Sequence, residues 1–248
     1  MRTAVLALAV AALLAGCGGD DSTTDTTTTT VPVETSTARV YFLRDGKVWP
    51  AAREVPETGE LEPILEELVA GPSDDERQLG FTTALPGDFD VPEIGVANGV
   101  ATLDIPDDLS DEALAQLVYT VTQVDPVVTS VDLGGRSVTR ADFEDVTPPI
   151  LVESPLAFQE VGNPVQAHGT ANTFEATFEY ELTDTDGKIV DDDFVTATSG
   201  TGTRGTFELT TKPYEIPFDG VGALIVFERS AKDGSRINLV EIPVRMTR

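Results

Sequence analysis

The sequence predicts an α+β domain followed by an all-β sandwich, and three observations support this. Apolar residues recur at three- and four-residue spacing in two stretches before residue 125, which is the periodicity of amphipathic helices. Short β-rich runs and Asp-Gly or Asn-Gly turns surround these stretches. Beyond Pro148 and Pro149 the helical spacing ends, and about seven β-rich runs follow at intervals of roughly ten residues. Two folded parts are therefore expected, over 39–147 and 148–248.

Two helices are predicted in the first part, both on one face of a mainly antiparallel sheet. The first carries an apolar stripe from Leu61 to Val69 and ends at Gly71-Pro72, because glycine adopts the left-handed cap and proline cannot continue the helix. The second begins after Ser110, a favourable N-cap residue, and carries a stripe from Leu114 to Val124. Hairpins with Asp-Gly and Asn-Gly turns supply strands for the sheet.

The N-terminus has the pattern of a lipoprotein signal. Arg2 precedes an apolar stretch over 4–14 that, at about eleven residues, is too short to span a bilayer, which takes roughly 20. The sequence Leu-Ala-Gly-Cys ending at Cys17 then resembles the bacterial lipobox. The alternative is an ordinary signal peptide with a chance cysteine, but Cys17 is the chain's single cysteine and stands at the lipobox position. We expect residues 1–17 to be the signal peptide and its lipobox, and Cys17 to be lipidated.

A disordered tether rich in Thr and Asp is predicted over 18–38, because this stretch has too few apolar residues to form a core. Along the whole chain 43 acidic residues stand against 16 basic ones, and the formal net charge is -27. Such a surface repels phosphate backbones and anionic lipid head groups. We expect no nucleic-acid partner, and we expect the lipid on Cys17 to hold the chain on the extracytoplasmic face of the cell membrane.

Short motifs in both parts are shared with known families. The first part contains Leu65-x-x-Leu68-x-x-Gly71-Pro72 and Ala115-Gln116-Leu117-Val118-Tyr119-Thr120. With these motifs, residues 39–146 resemble the GerMN domain of sporulation and germination proteins. The second part contains Ser154-Pro155, Gly169-Thr170-Ala171-Asn172, Arg204-Gly205-x-Phe207 and Asp233-Gly234-Ser235. With these motifs, residues 150–246 resemble the immunoglobulin-like domain of bacterial spore-germination proteins.

The resemblance implies an immunoglobulin-like sandwich for 148–248 and an envelope-associated role without catalysis. GerMN domains are generally taken to bind a partner or a wall component. Peptidoglycan or another envelope protein is therefore the expected partner, and no cofactor is expected.

The residues themselves do not assemble into a catalytic or metal-binding set. His168, the single histidine, falls in a candidate strand and is expected to be structural, which leaves no Ser-His-Asp arrangement. Asp184-x-Asp186-Gly187 followed by Asp191-Asp192-Asp193 is superficially similar to a calcium loop, but it lacks the terminal Glu, and Asp-Gly is also a hairpin turn. Carboxylates are so abundant that none stands out as a pair. A glycan-acting enzyme with an unrecognised carboxylate pair and a small-ligand sensor between the two parts remain alternatives.

Five side chains are candidates for contact with a partner. Gln116, Tyr119, Thr120 and Gln123 fall on the side of the second helix opposite its apolar stripe, where amides, hydroxyls and an aromatic ring suit a glycan or a peptide. The alternative is a solvated helix face, with Tyr119 partly covering a neighbouring loop or strand. Trp49, the single tryptophan, could stack on a sugar or pack at the edge of the core.

Overall fold

A computed structural model describes residues 34–123 and 128–248. Cys17, the predicted signal peptide and the tether up to residue 33 lie outside these described residues. The tether prediction is wrong over 35–38, because strand β1 spans Thr35–Arg44. Residues 35–38 pair with 53–56 of the next strand, and β-branched threonine favours this extended conformation.

The first sheet is built on a long hairpin. Strand β1 pairs antiparallel with β2, Lys47–Pro56, through a turn in which Asp45 and Gly46 have φ of 51° and 71°. These positive values are those of the hairpin turn that Asp-Gly favours. On the other side of β1, the short strand β3, Phe81–Thr82, pairs only with Leu43 and Arg44. Over 35–42 that second edge of β1 is therefore bordered by no strand of the described residues.

Three α-helices belong to the N-terminal part, which we define as residues 34–147. Helix α1 spans Glu62–Ala70, α2 spans Asp74–Gln78 and α3 spans Asp111–Val121. Helix α1 ends at Gly71, whose φ of 80° excludes most other residues, and Ser110 caps α3 by accepting a hydrogen bond from the amide of Ala113. A 3-10 helix follows at Arg140–Val146. In the described ranges, none of the helices is long and apolar enough to cross a bilayer.

The N-terminal part contains a second sheet, so the prediction of one mainly antiparallel sheet is not confirmed. Its strands, in the spatial order β4-β5-β6-β7, are β4 Ile94–Ala97, β5 Val100–Leu103, β6 Ser130–Leu133 and β7 Arg136–Val138. Strands β5 and β6 are parallel, and α3 lies in the connection between them. A parallel pair needs such a crossover, which a succession of hairpins does not supply.

The C-terminal part, residues 148–248, has the immunoglobulin-like arrangement of two sheets. The smaller sheet has the order β13-β10-β8, and its strands are β8 Ile150–Ser154, β10 Gln166–Ala171 and β13 Gly205–Thr210. The larger sheet has the order β12-β11-β14-β15-β9, and its strands are β9 Glu160–Val161, β11 Thr177–Thr183, β12 Ile189–Thr196, β14 Gly220–Arg229 and β15 Arg236–Met246. A short 3-10 helix, Phe174–Ala176, precedes β11.

Each part has its own hydrophobic core. The first core extends from Ala38 to Val146 and also takes in Leu151, and the second extends from Ile150 to Met246. Trp49 packs against both cores. The hairpin β1–β2 therefore lies where the two parts meet. Polar side chains also form hydrogen bonds across this junction.

Candidate binding site

Helix α3 does not present a polar face to solvent. Gln116, Tyr119 and Thr120 are 0 %, 1 % and 0 % exposed, and Gln123 is also buried. Both interpretations of this face, a partner-binding surface and a solvated surface, are therefore wrong for Gln116, Tyr119 and Thr120. Gln123 borders a surface cavity of about 360 Å³, but its side-chain oxygen is bonded to the backbone amide of Arg39 at 3.0 Å.

The polar side chains of α3 complete the bare edge of β1. Tyr41 lies opposite Pro50, which has no N–H to give to the ladder, so the Tyr41 amide and carbonyl point to the other edge. There the amide donates to Thr120 Oγ1 at 3.0 Å, and the carbonyl accepts from Gln116 Nε2 at 3.1 Å. Gln123, just beyond the end of α3, accepts from the amide of Arg39 at 3.0 Å. Gln116, Thr120 and Gln123 thus bond backbone groups along this edge in place of a strand, which is why a polar face is buried.

The side chain of Tyr119 belongs to the junction between the two parts. Its hydroxyl is hydrogen-bonded to Thr147 Oγ1 at 2.7 Å, and its ring centroid lies 5.2 Å from that of Tyr41. The guanidinium of Arg140 lies 4.6 Å from the Tyr119 ring and 5.4 Å from the Tyr41 ring. Arg140 is therefore held against two aromatic rings that are fully enclosed by protein.

Glu153 on β8 is the partner of Arg140. Arg140 Nη1 donates to Glu153 Oε1 at 2.7 Å, and the Tyr41 hydroxyl donates to the same oxygen. The remaining donors of Arg140 bond to Thr122 Oγ1 at 2.7 Å and to the Tyr119 carbonyl at 3.1 Å. Burial alone would raise the pKa of the Glu153 carboxyl, but the charge of Arg140 and the bonds from Tyr41 and Arg140 lower it overall. Glu153 is thus an ionised link across the junction.

A second ion pair crosses the junction through the glycine-rich loop 200–205. Arg204 bonds to both carboxylate oxygens of Glu144, at 2.8 Å and 2.9 Å, and to the carbonyl of Pro148 at 2.8 Å. Asn172 Nδ2 donates to Glu144 as well, at 2.7 Å. Bidentate pairing of this kind fixes orientation as well as charge. This loop therefore ties the C-terminal part to the 3-10 helix of the N-terminal part.

His168 and the acidic loop are bonded to other residues of the chain. His168 is exposed on β10, and its Nε2 lies 3.3 Å from Arg39 Nη1. Asp184 Oδ1 accepts bonds from the amides of Asp186 and Lys188, both at 2.9 Å, so it closes the turn. Asp191 accepts from the Tyr180 hydroxyl at 2.5 Å and from Lys212. Among residues 34–123 and 128–248, no group of three His, Cys, Asp or Glu side chains could hold a metal ion.

An apolar groove of about 280 Å³ opens at the same junction, and we call it the Trp49 groove. Its N-terminal wall consists of Arg44, Trp49, Pro50, Leu79 and Phe81. Its C-terminal wall consists of Val152, 155–158 and 241–243. Leu79 and Phe158 are 50 % and 44 % exposed, so the groove is open and its rim is apolar. Exposed apolar surface with polar neighbours is typical of binding sites.

The N-terminal wall of the groove contains an edge-to-face aromatic pair and a guanidinium over the indole ring. Phe81 meets the Trp49 ring edge-on, with 6.5 Å between centroids. The guanidinium carbon of Arg44 lies 5.0 Å from the Trp49 centroid. Trp49 thus packs at the edge of both cores, as one interpretation of the sequence has it, while it also lines a groove accessible to a ligand.

Phe158 is held at the rim by a strained turn. Its φ of 62° is unusual for a bulky residue and costs about 1–3 kcal/mol. The Phe158 amide donates to the Pro243 carbonyl at 2.7 Å, and its carbonyl accepts from Arg245 Nε at 3.0 Å. The Gln159 amide closes the turn on the Leu156 carbonyl at 3.1 Å. Hydrogen bonds therefore maintain a conformation that keeps an aromatic ring at the groove.

Sequence reasoning identified Trp49 but missed the other groove residues. Arg44 and Phe81 lie in strands and Phe158 lies in a turn, and no pattern in the sequence marks them as neighbours of Trp49. One signal in the sequence could have identified Phe158. It is an aromatic residue three positions after a proline in a loop, where a large apolar side chain has no core to fill.

Two family models match the chain in succession. Residues 39–134 match the model described as sporulation and spore germination, and residues 149–235 match the immunoglobulin-like domain of bacterial spore germination. No curated protein matches the chain. Among solved structures the chain is similar to CopC from Methylosinus trichosporium OB3b, with 15 % identity over 40 % of this chain and 91 % of that one, and a TM-score of 0.27.

Replacing Glu153 with Gln should destabilise the protein by about 3 kcal/mol near neutral pH, because Arg140 is left without its counter-charge. The pKa of Glu153 is lower in the folded protein than the ordinary carboxyl pKa of about 4.3 in the unfolded chain. The ion pair therefore stabilises the fold at pH values above the ordinary pKa, and this stabilisation is lost as the pH falls through the lowered pKa. The difference between wild type and variant should therefore shrink below about pH 4.

Urea unfolding of both proteins at a series of pH values measures this difference. Glu208→Gln, at an exposed position on β13, is the matched control and should change the free energy of unfolding little. A Glu153→Gln effect that stays constant from neutral to acidic pH would contradict the assignment of Glu153 as the ionised partner of Arg140.

Proposed function

We propose that this chain, in which a sporulation and spore germination domain precedes the immunoglobulin-like domain of bacterial spore germination, is a germination-related envelope protein that binds a partner without catalysis. The partner is peptidoglycan or another envelope protein, and the Trp49 groove is the surface that contacts it. The chain is held by lipid on Cys17 at the extracytoplasmic face of the membrane.

The observation that carries the proposal is the composition and position of the groove. Aromatic and proline side chains line it, and its two walls come from different parts of the chain. The ion pairs Arg140–Glu153 and Arg204–Glu144 hold those parts together, so the groove is formed in advance of binding. A preformed apolar cleft with a few polar groups is the usual form of a ligand site.

The carboxyl groups favour binding over catalysis. A glycosidase needs a carboxylic acid with a raised pKa beside a second carboxylate. Glu153, Glu144 and Asp191 are each ion-paired, and in each of them opposing charges and hydrogen bonds outweigh burial and lower the pKa. Such groups remain ionised and are occupied by internal partners, which supports a non-enzymatic role.

Charge supports anchoring by lipid rather than by electrostatic attraction. With a net charge of -27 the folded parts are repelled by anionic head groups. Acyl chains each contribute about 0.8 kcal/mol per buried methylene, and two chains anchor a protein durably. The folded parts then stand away from the bilayer, where the groove is accessible to wall components.

The first test is retention of residues 18–248 by isolated cell walls and by membrane extracts. Phe158→Gly should reduce retention several-fold, because it removes the rim aromatic while glycine accepts the φ of 62° without strain. Phe174→Ala removes an aromatic ring that is 65 % exposed elsewhere and should leave retention unchanged. Retention of the wild type by neither fraction, or equal loss in both variants, would refute the proposal.

The anchor has its own test in the producing organism. Cys17→Ser should block processing at this site and leave no lipid-anchored mature form, because the lipid is attached to the cysteine thiol. Radiolabelled fatty acid and detergent partitioning report the lipid, and the mass of the mature chain reports cleavage. A variant that is lipidated and cut like wild type would show that Cys17 is not the anchor.

A further inference from the structure

We infer that the Trp49 groove binds an apolar peptide segment through a free carboxylate, with Arg44 as the residue that receives it. This inference rests on the proposed function and names the chemistry of the ligand. Three features of the groove carry it: a cation that forms no ion pair within the described residues, an acidic residue in the same lining, and a size that suits a short segment.

Among the described residues, four arginines form no ion pair with a carboxylate: Arg39, Arg44, Arg136 and Arg245. Of these four, Arg44 lines the Trp49 groove. Most arginines of the described residues form an ion pair with a carboxylate, and these are Arg53, Arg77, Arg140, Arg204, Arg229, Arg236 and Arg248. Within the part of the chain that the structure describes, Arg44 forms none and is stacked on Trp49 instead. A guanidinium that lines a cleft and forms no ion pair there has N–H donors that can receive an anionic ligand group.

Stacking prepares Arg44 for a carboxylate. A guanidinium that lies over an aromatic face keeps its N–H groups directed outward in one plane, which is the fork that binds a carboxylate through two parallel bonds. The side chain is half-buried beside Trp49, so it loses less conformational freedom on binding than a fully exposed arginine would. A carboxylate that lies against Trp49 would therefore meet an oriented donor pair.

Glu241 favours a peptide over a simple fatty acid. Glu241 is one of the lining residues of the groove, and within the described residues it forms no ion pair. It can accept a backbone N–H of a bound segment, while the apolar side chains of that segment contact Trp49 and Phe158. A fatty acid has no N–H to offer and would leave Glu241 facing an alkyl chain, which is unfavourable. The cavity of about 280 Å³ suits one or two residues.

The test uses the single tryptophan of the chain as its reporter, since Trp49 lies in the groove. The probes are N-acetyl-Leu-Phe with a free carboxylate, the same dipeptide as its C-terminal amide, and decanoate. Each probe is titrated against residues 18–248. The free acid should bind about tenfold more tightly than the amide, because only the acid can form a charge-assisted bidentate pair with Arg44. Decanoate should bind more weakly than the free acid.

Arg44→Gln should abolish the preference for acid over amide, and Arg44→Lys should retain part of it, because lysine keeps the charge but not the fork. Arg136→Gln, at an exposed arginine on β7, is the matched control and should keep the wild-type preference. Circular dichroism of each variant confirms the fold.

Equal affinity for acid and amide, equal affinity for decanoate, or a preference that persists in Arg44→Gln would each overturn the inference. Binding of none of the probes by a protein that cell walls do retain would refute the ligand class and leave the proposed function standing. Absence of both probe binding and retention would refute the two together.

Discussion

The ion pair between Arg140 and Glu153 is the interaction on which the arrangement of this protein depends. It joins a 3-10 helix of the N-terminal part to the first strand of the C-terminal part, and both partners are largely buried. Withdrawing two charges from water is costly, and the cost is offset only when every donor and acceptor is satisfied. Here the Tyr41 hydroxyl also donates to Glu153, and Thr122 and the Tyr119 carbonyl accept from the other two nitrogens of Arg140. The Trp49 groove depends on this junction, because each part supplies only one of its two walls.

The same junction explains the role of α3. Along most of its length β1 pairs with β2 alone. On the other edge, the amides of Arg39 and Tyr41 and the carbonyl of Tyr41 are bonded by side chains of α3 and of Gln123 just after it. Tyr41 then extends its hydroxyl to Glu153, so one residue of β1 is fixed by helix, sheet and C-terminal part at once. The two cores are therefore joined by a short chain of hydrogen bonds as well as by apolar contact.

Local signals in the sequence predicted local structure well. The Asp45-Gly46 turn, the end of α1 at Gly71 and the Ser110 cap follow from backbone preferences that hold in any context. The immunoglobulin-like fold of the C-terminal part is confirmed. Non-local consequences were not predictable: the split into two sheets depends on a parallel pair, and Gln116 and Thr120 are buried because Tyr41 lies opposite Pro50. The helical spacing predicts that a polar side chain opposite the apolar stripe faces solvent. The unpaired backbone groups at a strand edge instead require a polar side chain inside the protein.

The measurement that tests this account most directly is a double-mutant cycle on the junction, with Arg140→Met, Glu153→Met and the two combined. Each single variant leaves a buried charge without its partner, while the double variant leaves two apolar side chains of similar size. The account predicts a free energy of unfolding for the double variant that exceeds the additive expectation by about 2 kcal/mol. Additivity within about 0.5 kcal/mol would contradict it and would mean that the two parts are held together by other contacts.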